Sequence, residues 1–298
     1  MKSNYLIHST LILSQFILII HSFVVKHALD STTKLNSIHT PLAFASIRSF
    51  ISAPILLLFY YIQTNRTTSR TTSITTSSIT SSKKSHTTQD YISAIYCGFL
   101  GVFLYPLLYA LGLRSTTPTA ACVCEALTPI FSVLLEYYLN TSTKQERNSS
   151  SSGSSISNKK ILAVLLAVSG SIIMTIQGAW MDTNAKGGNI NDLSNQVSGR
   201  LTGNLLVISS AAAYALFLSI QRKQMSDKTN GPSVLFLTAW GNVFGAMMLI
   251  GLAYCMGALD MTELSTNYSS HFWYGLLWAA LVTSVLGYTL EGLANSWR

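Results

Sequence analysis

The chain has 298 residues and a formal net charge of +8, yet only 10% of its residues are charged while 49% are hydrophobic, and its mean hydropathy is +0.37. A soluble domain carries roughly a quarter charged residues, so this balance excludes an ordinary soluble globular protein and indicates a membrane class. Nucleic acid is not a predicted partner, because the basic residues fall in a pattern that orients helices in a bilayer.

Eight apolar stretches follow one another: residues 5–29, 41–63, 91–113, 117–139, 160–180, 201–221, 232–257 and 272–293. At 1.5 Å of rise per residue, each reaches across a hydrocarbon core of about 30 Å. Their apolar character runs all round, unlike that of a soluble amphipathic helix. The first follows Lys2 as a signal peptide would, but its apolar run is too long and no clear small-x-small site closes it. Two linkers, 64–90 and 140–159, are rich in Ser and Thr and hold too little apolar side chain to build a core, so they are predicted to be solvated and disordered. A third connection, 181–200, joins the fifth and sixth stretches.

The basic residues set a predicted topology. With the N-terminus in the cytoplasm, thirteen of the nineteen Lys and Arg residues face the cytoplasm, and Lys26, Lys34, Arg114, Lys186 and Arg200 face the other side. Arg48 lies inside the second stretch. Asn267, in Asn267-Tyr268-Ser269, is the sequon placed on the far side and open to glycosylation. Cys97, Cys122, Cys124 and Cys255 all lie within apolar stretches, with no second pair at metal spacing, and read as small buried side chains.

An internal repeat is visible. Residues 11–27 can be laid over 207–223, and 98–115 over 279–296. Five helices per unit is an odd number, so the second unit sits inverted, an arrangement typical of secondary transporters with a site at the midplane. The expected organisation is a first repeat at 1–180, a non-cytoplasmic loop at 181–200, and a second repeat at 201–298 that holds three helices.

Several segments resemble the EamA-like branch of the drug/metabolite transporter superfamily. They are Pro41 to Arg48, an apolar run ending in arginine; Glu125 to Glu136, a helix bearing Pro129; Leu162 to Gly170; and Gly203 to Tyr214. The resemblance implies an all-α, polytopic membrane protein with eight transmembrane helices of a ten-helix inverted-repeat transporter fold, the second repeat lacking its last two helices. It implies transport of a small organic solute across the bilayer, no enzymatic activity and no cofactor. A homodimer or a partner protein would complete the second repeat.

Glu125 is the leading candidate for the site. An acid at membrane depth is costly unless paired or hydrated, so it is a functional hypothesis by default. Arg48 lies at a similar predicted depth. The two either form a permanent pair locking helices together, or Glu125 binds a substrate amine or a proton while Arg48 tunes it. Pro129, one turn on, would kink the helix and free the carbonyl of Glu125. Tyr105 and Tyr109, at i and i+4, share a helix face. With Tyr214 and Trp240 they either line a cavity or pack a core. Gln15, His21 and Asn242 are intrahelical polar groups suited to interhelical hydrogen bonds. With Arg48 as the cation at membrane depth, a neutral or amine-bearing solute is expected.

Other chemistries are disfavoured. Asp182 to Gly187 begins like a calcium loop, but Lys186 and Leu193 stand where oxygen ligands are required. No phosphate-cradling Gly-Lys-Ser/Thr loop, His-Glu-x-x-His or Gly-x-Ser-x-Gly occurs. The function expected is secondary transport of a small organic metabolite by alternating access. The alternative is a non-transporting membrane protein, truncated or acting through interactions.

Overall fold

The computed structural model describes residues 2–31, 39–72, 87–125, 190–225, 233–259 and 268–287, together with isolated positions between 127 and 177 and at 289–290. Among the described residues the regular elements are all helical. They are α1 (Lys2–Asp30), α2 (His39–Thr72), α3 (Thr88–Gly98), α4 (Tyr105–Ser115), α5 (Pro118–Glu125), α6 (Ile190–Met225), α7 (Val234–Cys255) and α8 (Ser270–Trp278). A π-helical segment, Phe99–Leu104, joins α3 to α4, and a second, Ala279–Gly287, continues α8. Four helical stretches are long and apolar enough to cross a membrane: His39–Asn65, Thr88–Ser115, Val197–Gln224 and Val234–Cys255. They coincide with the second, third, sixth and seventh predicted spans, and they make the chain an integral membrane protein. Outside the described residues lie most of the fifth predicted span, the linker 140–159, Pro129, Asn267 and the side chain of Gln15.

Two boundaries differ from expectation. α2 continues to Thr72, into the linker expected at 64–90, and α6 begins at Ile190, inside the connection expected at 181–200. Apolar content marks where a helix meets lipid, whereas the backbone ladder continues wherever side chains permit. Thr64 and Thr202 support the extensions by donating their hydroxyls to the carbonyls of Tyr60 and Ser198, each at 2.9 Å.

The helices end where their capping residues dictate. Ser233 opens α7 by accepting from the Phe236 N–H at 3.1 Å. Ser269 opens α8 and donates its own hydroxyl to Ser31 at 2.8 Å, tying this end of α8 to the end of α1. α7 closes at Gly257, whose φ of 69° suits glycine. There the Ala258 N–H bonds the Ala253 carbonyl and the Gly257 N–H bonds that of Tyr254, a Schellman pair.

Packing joins the two halves of the chain. α2 packs most extensively against α7, α4 against α6, α3 against α7, and α1 against α8. Glycines allow the closest of these approaches. A Cβ on Gly98 would overlap the Gly241 carbonyl oxygen, and one on Gly245 would lie 2.7 Å from that of Gly98. A second contact joins Gly112 to Gly203, where added Cβ atoms would meet the opposite carbonyl oxygens at 2.7 and 2.8 Å. The Gly241-x-x-x-Gly245 face of α7 is therefore occupied by α3. Small residues let backbones meet closely where lipid supplies no hydrophobic drive between helices. Side chains fill the space around these contacts: Phe44 meets Phe272 edge-on at 5.5 Å, within a core that includes Val25, Leu113, Val207 and Leu276.

This packing predicts an asymmetry between glycines. Gly98→Ala should cost about 1–3 kcal/mol through overpacking against backbone. Gly251→Ala, with nothing within 4 Å of its added Cβ, should be neutral or stabilising. Thermal unfolding in detergent, followed by intrinsic fluorescence, checks both; equal melting temperatures would refute the close contact.

Candidate functional site

A polar cluster lies where the halves meet, and the break in the third predicted span helps to build it. Pro106 has no N–H and cannot continue the i→i−4 ladder. The turn before it widens accordingly, and the Tyr105 N–H bonds the Leu100 carbonyl five residues back. Such π turns recur at functional sites because they re-aim the side chains that follow. Here they lead directly into Tyr105 and Tyr109, both buried. The Tyr105 hydroxyl donates to Oε1 of Glu125, at the described end of α5, at 2.9 Å. The ring of Tyr214, from α6, lies 4.7 Å from that of Tyr105.

The cluster continues through Tyr109. Its hydroxyl donates to Ser22 Oγ at 2.7 Å, and Ser22 donates in turn to the Leu18 carbonyl at 3.1 Å. His21, beside Ser22 on α1, stacks on Tyr109 with ring centroids 5.8 Å apart. Its Nδ1 lies 3.1 Å from the hydroxyl of Thr283, which belongs to the second π segment. Tyrosine, histidine, serine and threonine from both halves thus satisfy one another around a single carboxylate, as a low-dielectric interior requires.

Arg48 is buried, and its Nε has no hydrogen-bond partner among the described residues. The guanidinium acts electrostatically on both His21 and Tyr109, and Glu125 also acts on Tyr109. Arg48 and Glu125 therefore both lie within electrostatic range of Tyr109, while the hydrogen bond to Glu125 described above comes from Tyr105. Trp240 lies elsewhere, in an aromatic cluster with Tyr91 at 5.4 Å and Phe244 at 5.9 Å. Asn242 donates to the Thr238 carbonyl of its own helix at 2.9 Å, and its Oδ1 is buried with no partner among the described residues. Gln15 belongs to α1, and Pro129 lies outside the described residues.

Three members of the cluster were not singled out as site residues by the sequence. His21 read as an interhelical polar group, and Ser22 and Thr283 are ordinary in composition. The signal for His21 was its ionisable ring at membrane depth, which applies to it as it does to Glu125. Thr283 carried none, because a threonine hydroxyl within an apolar helix commonly bonds its own backbone.

If Tyr105 and Glu125 act as one unit, their substitutions should not add. A cycle of Tyr105→Phe, Glu125→Gln and the double variant should give a coupling of about 0.5–3 kcal/mol in unfolding free energy. Additive values in chemical unfolding would mean that the hydrogen bond contributes nothing.

Residues 6–145 match the model of the EamA-like transporter family. The chain is similar to an uncharacterized transporter, YyaM, of Bacillus subtilis (strain 168), with 26% identity over 206 residues that cover 69% of this chain and 57% of that protein. The chain thus spans less than two thirds of the length of this relative. No solved structure matches. Residues 6–145 thus resemble the EamA-like transporter family, in a chain whose described helices include four of membrane-spanning length and composition.

Proposed function

We propose that the chain is a secondary transporter of a small organic metabolite that works by alternating access, with Glu125 as the principal binding residue. The observation that carries this reading is a polar cluster drawn from both halves that includes that carboxylate. Tyr105 donates to it from the first half, and Tyr214 against the Tyr105 ring and the Thr283–His21 contact bring in the second. A site at the seam of two bodies changes shape when one rocks against the other, which alternating access requires. In this reading Arg48 and Tyr109 orient a solute or tune a proton at Glu125.

The packing supports an inverted repeat, with residues 1–180 and 201–298 as its units. When 98–115 is laid over 279–296, α1 with α8 corresponds to α6 with α3, and α2 with the second π segment to α7 with the first, while α2 with α7 maps onto itself. The two π segments occupy corresponding places when residues 98–115 are laid over 279–296. In this reading they are the points at which the cavity walls flex. The bias of basic residues favours a cytoplasmic N-terminus. A second reading is a non-transporting membrane protein that acts through interactions.

Counterflow in proteoliposomes separates the two. Vesicles loaded with a panel of unlabelled small metabolites should accumulate the matching labelled solute, and Glu125→Gln should lower that flux by at least about tenfold, or about 1.4 kcal/mol in the barrier. No uptake above protein-free vesicles for any solute would favour the non-transporting reading, in which Glu125→Gln changes assembly alone. A protease-sensitive tag before Met1, cleaved only from the cytoplasmic side, would support the orientation; cleavage from the opposite side would reverse it.

A further inference from the structure

A pocket of about 570 Å³ opens at the membrane face where α1 and α4 end, α5 begins, and α6 passes with Arg200. Lys26, Arg114, Arg200, His27, Asp30 and Thr116 are among its lining residues. We propose that this pocket binds the oxyanion of a small solute, a phosphate or carboxylate, above the polar cluster. The proposed role in transport rests on the transporter reading, whereas the binding itself does not.

Charge comes first. Three lining cations, Lys26, Arg114 and Arg200, face one lining carboxylate, Asp30. With His27 neutral, the lining carries a net charge of +2. Lys26 does local work with its charge. It pairs with Asp30 at 3.3 Å and donates to the carbonyls of Leu113 and Arg114 at 3.1 and 3.0 Å, capping the negative end of α4. Asp30 and the α4 carbonyls are thereby engaged with a cation of the same pocket and repel an incoming anion less. Arginine adds geometry to charge, because its planar fork matches carboxylate and phosphate oxygens two at a time.

Distribution is the second argument. Five basic residues fall on the face opposite the N-terminus, the face that the charge bias depletes. Lys34 and Lys186 lie outside the described residues, and the remaining three all line this pocket. Orientation alone would scatter these residues around the bundle.

Position is the third. Lys26 follows Ser22 by four residues on α1, about 6 Å along a helix, and Arg114 follows Tyr109 on α4. The pocket therefore lies about one turn beyond the cluster, on the same helices. Its volume falls within the roughly 300–1,000 Å³ of small-molecule sites. The single cation at membrane depth suggested a neutral or amine-bearing solute; the charge gathered at this mouth points instead to a solute with an anionic group.

The test is calorimetric titration of the full chain, in nanodiscs of neutral phosphatidylcholine, with sodium phosphate against sodium chloride of equal ionic strength. Saturable heat with phosphate alone is expected. Arg114→Gln and Arg200→Gln should each weaken it at least about tenfold, while Lys223→Gln, near the other end of α6, leaves it unchanged. Arg114→Lys keeps the charge but not the fork and should fall between wild type and Arg114→Gln; it decides the matter if a glutamine variant loses its native melting transition. Discs containing phosphatidylglycerol separate the two sources of the anion. Unchanged phosphate binding there assigns the site to a soluble solute, and its loss assigns it to a lipid headgroup. No heat beyond chloride, or equal heat from wild type and well-folded arginine variants, overturns the proposal. Because the readout is binding, absence of transport would not produce the same result.

Discussion

The close approach of backbones along the third predicted span constrains the described helices more than any other contact. Gly98 meets α7 at Gly241 and Gly245, and Gly112 meets α6 at Gly203. Neither contact leaves space for a β-carbon, so the separation of these helices is set by backbone atoms rather than by adaptable side chains. In a membrane this matters more than in water, because lipid is as apolar as a leucine side chain and helix association depends on packing and polar contacts. Tyr105 lies midway between the two glycine contacts. Its ring and hydroxyl are therefore held where both helices of the second half are held.

That placement makes the polar cluster affordable. A carboxylate, a guanidinium, an imidazole and two phenols at membrane depth would each be costly alone. Together they supply one another with donors, acceptors and opposite charge: Tyr105 to Glu125, Tyr109 to Ser22, and His21 with Thr283. The Nε of Arg48, buried without a partner among the described residues, is the exception. An unsatisfied buried donor is a recurrent feature of sites that exchange partners with a ligand. The π segments belong to the same logic, since each sets one of these hydroxyl-bearing side chains against the seam.

Much of the helical layout was legible because burial in lipid requires long apolar runs. The second, third, sixth and seventh spans could be read from composition alone. The shared face of Tyr105 and Tyr109 followed from their spacing of four. Helix ends beyond the hydrocarbon were not legible: the extension of α2 to Thr72 and the start of α6 at Ile190 depend on backbone ladders that polar side chains neither demand nor forbid. Trp240 had the same credentials as Tyr214, an aromatic ring with a polar tip inside a span, yet it packs with Tyr91 and Phe244 away from the cluster.

The amino-acid sequence by itself determined that this is a helical membrane protein with an acid inside one of its apolar stretches, because hydropathy and charge act residue by residue and need no fold to be counted. Only the tertiary structure decided which groups meet: that Tyr105 donates to Glu125, that His21 reaches Thr283 across 262 positions of chain, and that Lys26, Arg114 and Arg200 share one mouth. Hydrogen bonds and ion contacts act over a few ångströms, and the distances between helices arise from their packing as a set. Spacing along a single helix cannot supply them.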